Sequence, residues 1–503
     1  MRRVLQLSGL LAILVTGFLS THAFAQEPAD GEQPAQEQKA EQPAPEAPAA
    51  TTAAVVPPAA KPKFGDLSTH GYFRGGFGGN LNQKGRMTCF GLSTISGSLK
   101  SKYRLGNECE QWAEFQLSAV VYVGDDGTVG SFHFMPVAFI PTTYLGYSPA
   151  MTTSTQDQSQ PGQFTTGATV AFPDLYTDMK GISWLYGGTA WAGSRYYKRE
   201  SVYISDFFYW NPSGVGAGIE DVSLGKIWDS APDLMRDVRI SYGAFAVDGQ
   251  PNGNPYMPDR FALGVRNDLQ IRGVRLYQGG ELQIGFQYIA NWSGDKDSVG
   301  NAATSYGGWG ITVQHVQEVL GGNNKLAVQY GRGGGTGFGT LARFYYPDFS
   351  LRQDLAESRL RIVDVLTIQP TDWFGTQLVG VYQRDDKGTG TTDAVDEWYS
   401  AGTRVSLALA EHAKLLGEVG YDTEFKSGGA PKLWLLKATG ALAITASKGF
   451  WARPELRLFF TWAQWSEAAG RAGIDSGALY TDSNKYPNFL SGMIAGLQAE
   501  TMW

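Results

Sequence analysis

From Phe64 to the C-terminus, apolar and polar residues alternate in short runs with a period of two. Leu282, Ile284, Phe286 and Tyr288 alternate with Gln283, Gly285 and Gln287, and Leu326, Val328 and Tyr330 with Ala327 and Gln329. Leu456, Leu458, Phe460 and Trp462 alternate with Arg457, Phe459 and Thr461. Successive side chains of a strand point to opposite faces, so each run predicts a β-strand with one apolar and one mixed face. No apolar run of about 18 residues follows the N-terminus, which argues against helical membrane spans. An all-β, transmembrane antiparallel barrel fits instead, its apolar side toward lipid and its mixed side toward a lumen. The last residues, Leu497–Trp503, alternate as well, and a barrel without an edge requires this strand to pair with the first, near residues 64–76. The length of 64–503 suits a barrel of about 16–18 strands, wide enough for water. Turn-rich stretches such as Gly249–Pro255 and Gly331–Thr340 lie between the runs. The second is glycine-rich, but no Lys-Ser/Thr follows it and no helix starts there, so it reads as an exposed loop rather than a phosphate site.

The N-terminus reads differently. Arg2 and Arg3, the apolar Leu10–Leu19 and the small-residue site Ala23–Ala25 predict a cleaved secretory signal over residues 1–25. Residues 26–63 are almost wholly Gln, Glu, Pro, Ala, Lys and Thr, which cannot bury a core and predicts a disordered, semi-extended periplasmic tether. A passive spacer is the plainer reading, and a periplasmic or cell-wall partner is the alternative. Residues 64–503 form the barrel domain.

Composition supports this division. Charged residues make up 18%, below the roughly 25% of soluble domains, and Gly accounts for 64 of 503 residues. The net charge of −7 argues against nucleic acid as a partner. Cys89 and Cys109, 20 residues apart in an exported chain, predict a disulfide. Two thiols and five scattered histidines give no metal site, so no metal or cofactor is expected. No HExxH, CxxC, G-x-S-x-G or Walker pattern occurs, so no catalytic residue is nominated and the chain does not read as an enzyme.

The most informative stretch is SKYRLGNECEQWAEFQL, residues 101–117. Glu110, Trp112, Glu114 and Gln116 share one strand face, and Cys109, Gln111, Ala113, Phe115 and Leu117 the other. Two carboxylates beside an indole make a lining suited to sugar in water. Its first part, SKYRLGNECE (101–110), resembles the first extracellular loop and second strand of maltoporins. So do HGYFRGGFG (70–78), TAWAGSRYYKRESVYISDFFYWNPSGVGAGIED (189–221) and FWARPELRLFFTWAQWSE (450–467), in order within a resemblance over residues 66–503. The resemblance implies an 18-stranded barrel in the bacterial outer membrane, bounded by lipid and assembled as a homotrimer. It also implies a third loop folded inward as a constriction. Oligosaccharides would diffuse passively along a path of aromatics flanked by polar groups.

Position by position, the resemblance puts Tyr72, Trp112 (for a tyrosine) and Trp451 on the aromatic slide, and Arg74, Arg104, Glu114, Arg199 and Asp206 along the constriction. The throat tyrosine is replaced by Phe208, and a histidine and an aspartate on the loop's approach by Tyr203 and Ser201. Asn323 and Met502 stand where the slide's periplasmic end has a phenylalanine and a tryptophan, a constriction arginine before the third loop is Pro173 here or is displaced by a gap, and Phe164 is the nearest aromatic to the place of a neighbour-subunit tryptophan. The upper and middle slide thus survive while the exit is eroded, which predicts an altered preference in favour of shorter sugars. A general diffusion porin without a sugar site, and a barrel serving as envelope tether or adhesin, are the alternative functions.

Overall fold

The computed structural model describes residues 62–82, 85–86, 89–92, 102–141, 169–248, 263–291, 307–338, 356–388, 394–472 and 490–503. The signal segment, nearly all of the tether, Gly249–Pro255 and Phe164 lie outside the described residues. Eighteen antiparallel strands, from Leu67–Asn80 to Ser491–Met502, pair each with its neighbours in sequence, and a two-residue strand, Gly85–Arg86, adds to the end of the first. The last strand pairs back onto the first, from Tyr72 with Met502 to Asn80 with Ile494. The sheet therefore has no free edge, the condition for burying every backbone polar group within a bilayer.

The alternating runs form strands Gly280–Asn291, Gly322–Gly333 and Glu455–Trp465. In the last, Leu456, Leu458 and Phe460 point outward and are exposed, whereas Glu455, Arg457, Phe459 and Thr461 are buried inside. Connections at one end are short, as at 124–128, 278–279, 320–321 and 411–412, which marks that end as periplasmic. Exposed aromatics cluster there, among them Tyr122, Trp184, Trp228, Tyr277, Trp373 and Trp503, and a second set including Phe77, Tyr288, Trp309, Tyr330 and Phe425 rings the other end. Two such girdles flanking an apolar band are what the two membrane interfaces select. Among the described residues no helix is long and apolar enough to cross a membrane.

The lumen is not left open. Between strands Gly188–Arg195 and Gly214–Ser223 the third loop, residues 196–213, folds inward as a hairpin of Glu200–Val202 with Phe207–Trp210. Its turn is the 3-10 segment Tyr203–Ser205, closed by Asp206 in the left-handed region. Val202, Ile204, Phe207 and Tyr209 pack on Val363, Val365, Val379 and Val381, which face inward from the opposite wall. These valines interrupt an otherwise polar interior and give the hairpin an apolar seat. Tyr209 donates a hydrogen bond to Gln314 at 2.6 Å, and Glu200 pairs with Arg272 at 2.9 Å and Lys325 at 3.0 Å.

The first loop also turns inward. Its backbone pairs with the third, Lys102 N donating to Ser205 O and Arg104 N to Ile204 O, each at 2.8 Å. Together the two loops make a crossbar through the lumen. Tyr103 lies over Gly402 and Gly420, where an added Cβ would stand 2.1 Å from its ring, so only glycine admits it. Cys89 and Cys109 are joined, with Cα atoms 5.7 Å apart, which ties the start of this loop to its end. In the chain-entropy picture a cross-link of this span stabilises the loop by about 3 kcal/mol. The Cys89→Ser, Cys109→Ser variant is therefore expected to keep the barrel but unfold its first loop at lower temperature, read by protease susceptibility of residues 89–109 during heating.

One expectation is overturned. Gly331–Thr340 is not an exposed loop where it is described: Gly331–Gly333 finish a strand, and Gly334–Gly337 turn inward with Gly334, Gly335 and Thr336 buried. A Cβ on Gly335 would meet Trp309 O at 2.0 Å, so glycine lets two backbones touch, and Gln287 donates to Gly335 O at 2.7 Å. The glycines serve close backbone packing, not solvent exposure.

Candidate functional site

The first two wall strands build one side of the constriction. Strand Leu67–Asn80 turns Tyr72 and Arg74 inward, and strand Glu110–Val123 does the same with Trp112 and Glu114. Register sets Tyr72 opposite Glu114 and Arg74 opposite Trp112. This places the Arg74 guanidinium 5.5 Å from the Trp112 ring centre, while Trp112 Nε1 donates to Glu114 Oε1 at 2.8 Å. The indole is half-buried, and Phe139 meets it edge-on at 6.3 Å.

The third loop supplies the facing side. Arg199 lies 3.4 Å from the Tyr196 ring centre and 5.1 Å from that of Phe208, and it is the main opposing charge of Glu114. Phe208 keeps 39% of its surface exposed. Asp206 accepts from Arg74 at 3.2 Å, and Arg74 also donates to Glu110 at 2.9 Å.

Beneath lies a sealed ionic layer. Arg104 pairs with Glu108 at 2.6 Å and with Glu500 at 3.1 Å, and it donates to the Tyr72 hydroxyl. Tyr72 and Tyr203 donate to Glu500 at 2.7 and 2.5 Å. Arg453 and Arg457 reach the same carboxylate. Trp451 sits edge-on to Tyr203, with ring centres 4.8 Å apart, on the 446–454 connection at the short-turn end.

The ten slide and constriction residues and the two cysteines singled out in the sequence thus separate. Trp112, Trp451, Phe208 and Asp206 retain exposed surface, whereas Tyr72, Arg104 and Tyr203 are buried within ion pairs and hydrogen bonds. Arg74, Glu114 and Arg199 lie between these layers, largely buried beside the aromatic rings. Cys89 and Cys109 stand apart, as the clasp of the first loop. Met502 pairs in register with Tyr72, and Asn323 lies near the short-turn end. Trp451 lies at that end too. Glu108, Tyr196, Arg453 and Glu500 were missed by the sequence reading, which had Glu110 only as one of the two carboxylates on the Trp112 face. Tyr196 stood three residues from Arg199 inside a recognised motif, and Glu500 fell on the inner face of the last alternating run; either signal was available.

Charge holds the two loops together. Burial alone would raise the pKa of Glu108, but Arg74, Lys102 and Arg104 hold it well below the usual carboxylate range. The same opposition lowers Asp206, where Arg74, Arg104 and Lys102 prevail over burial, and Glu200, where Lys325 and Arg272 do. Carboxylates whose folded pKa is depressed stabilise the docked loops fully above their unfolded pKa of about 4 and lose that contribution as pH falls through the folded value. Single-channel current is therefore expected to stay quiet from neutral pH to about pH 4 and to become noisy below it as the crossbar loosens. Noise that rises already between neutrality and that point would contradict the assignment.

The sequence model of the LamB porin family matches residues 67–503. Among solved structures, the chain is similar to the outer membrane protein OpdK of Pseudomonas aeruginosa, at 11% identity over 87% of this chain and 99% of that one, with a TM-score of 0.43. It is similar to OccAB4 of Acinetobacter baumannii at 8% identity, over 87% and 98%, with a TM-score of 0.42. OmpT of Vibrio cholerae, an outer membrane protein in trimer form, matches at 8% identity over 88% and 100%, with a TM-score of 0.37.

Proposed function

The chain belongs to the LamB porin family, a channel-forming β-barrel of the outer membrane, and on that premise we propose that it is a homotrimeric channel for passive, saccharide-selective diffusion. The observation that carries this reading is Trp112, an inward indole only partly buried, with a carboxylate at its N–H and a guanidinium over its ring. A pyranose offers a C–H face to an aromatic ring and hydroxyls at its edge to donors and acceptors. Glu114 and Arg74 supply the acceptor and the donor, and Phe208 with Arg199 repeats the combination on the loop side. Such contacts treat successive sugar rings alike, so binding is repeated and weak, as conduction requires. With Met502 and Asn323 in place of aromatics, Trp451 is the indole proposed for the exit, and a short run of stacking positions favours short sugars over long maltodextrins. A cleaved signal over residues 1–25 and a periplasmic tether over 26–63 acting as a passive spacer complete the proposal, with a periplasmic or cell-wall partner for the tether as the alternative.

The test is single-channel conductance of the purified protein in a planar bilayer, titrated with glucose, maltose, sucrose and maltohexaose. Saturable closure of the ion current by one sugar series supports the reading. A current that falls only with solution viscosity overturns it in favour of a general diffusion porin.

A further inference from the structure

The last strand carries one carboxylate on which five groups from five parts of the chain converge. Its Oε1 accepts from the Tyr72 hydroxyl at 2.7 Å and lies 3.1 Å from Arg104, bringing in the first strand and the first loop. Its Oε2 accepts from the Tyr203 hydroxyl at 2.5 Å, from Arg453 Nε at 3.0 Å and from Arg457, bringing in the third loop, the 446–454 connection and strand Glu455–Trp465. The carboxylate is 1% exposed and touches the lumen only through these partners. We propose that Glu500 is the positioning residue of the channel, its two oxygens holding the first-loop side and the third-loop side of the constriction in register and its charge setting the ion selectivity.

The division between the oxygens makes the group hard to replace. Aspartate is one methylene shorter and cannot reach both sets of donors. Glutamine has the same shape, but its amide nitrogen is a donor facing donors, so one set loses its acceptor. Among the described residues, removal of the charge also leaves Arg104, Arg453 and Arg457 with only Glu108 and Glu455 as buried carboxylate partners at 3.5 Å or less. An excess of positive charge beside a low-dielectric wall concentrates anions. Arg453→Gln changes the charge in the opposite sense from a connection outside the wall, and so tests the same idea without touching a strand.

Reversal potentials in a KCl gradient, with Glu500→Gln, Arg453→Gln and the unaltered protein compared as folded channels, give the measurement. Glu500→Gln is expected to move selectivity toward chloride and Arg453→Gln toward potassium. Glu500→Gln should also weaken sugar block about tenfold, the loss associated with a charge-assisted hydrogen bond. The sugar arm rests on the saccharide function proposed above; the ion arm does not. An unaltered protein that no sugar blocks refutes that function while the reversal potentials still decide the role of Glu500. Folded variants whose selectivities coincide with that of the unaltered protein overturn the proposal. If Glu500→Gln yields no folded channel, Arg453→Gln alone decides: no shift toward potassium overturns it.

Discussion

Replacing Trp112 by alanine is expected to weaken sugar block by roughly thirtyfold, about 2 kcal/mol, the effect of removing a well-placed aromatic anchor. The indole is the inward aromatic that keeps part of its surface free while a carboxylate and a guanidinium flank it. Its loss removes the packing surface for the sugar's C–H face but leaves Glu114 and Arg74 in place, so affinity should fall while the channel stays open to ions. The backbone pairing of Glu110–Val123 with its neighbours does not depend on this side chain. The concentration of maltose or sucrose that halves the current is the quantity to compare. An unchanged half-blocking concentration would return the aromatics to a structural role. Trp451→Ala, made alongside, separates the exit from the throat.

Glu108→Ala should act on the constriction itself. This carboxylate is 1% exposed and lies 2.6 Å from Lys102, 2.6 Å from Arg104 and 3.6 Å from Arg74. Removing one partner of a buried ionic cluster costs about 3–5 kcal/mol, because the charges left behind stay desolvated and unmatched. Lys102 and Arg104 are also the residues whose backbone N–H groups hold the third loop. The expected result is a folded barrel with larger, noisier conductance and a strongly reduced sugar block. The wall ladder makes no use of Glu108, so heat-resistant barrel on a gel provides the control for folding. Conductance and block equal to the unaltered protein would show that the third loop is held without this cluster, by its apolar seat and by the Tyr209 and Glu200 contacts with the wall.

Strand identity and face were legible because the alternation is enforced from outside. Lipid demands apolar side chains at every second position, so Leu456, Leu458 and Phe460 declare the outer face without any tertiary information. Closure of Leu497–Trp503 onto the first strand followed from the cost of a free edge in a bilayer. The crossbar was harder to read. Its seat is made by Val363, Val365, Val379 and Val381, and apolar residues on the lumen face look in sequence like any strand buried on both sides. Gly331–Gly337 misled for a related reason: glycine signals a solvent turn and a close backbone contact with the same letter.

By itself the sequence determined the membrane barrel, its closure, the disulfide partners and the families of residues that face inward, because those features repeat locally or rest on chemistry that needs no neighbour. Only the tertiary structure decided which inward residues remain within reach of a solute. Tyr72, Trp112 and Trp451 read alike in sequence, yet Tyr72 gives its hydroxyl to Glu500 while Trp112 and Trp451 keep exposed surface. Tyr203 lies 297 residues from Glu500 and Arg453 47, and with Arg104 they meet only once the first loop, the third loop and the last strand are folded into one lumen. Exposure and charge balance are properties of that meeting, set by the convergence of distant segments at low dielectric, and no local pattern in the chain encodes them.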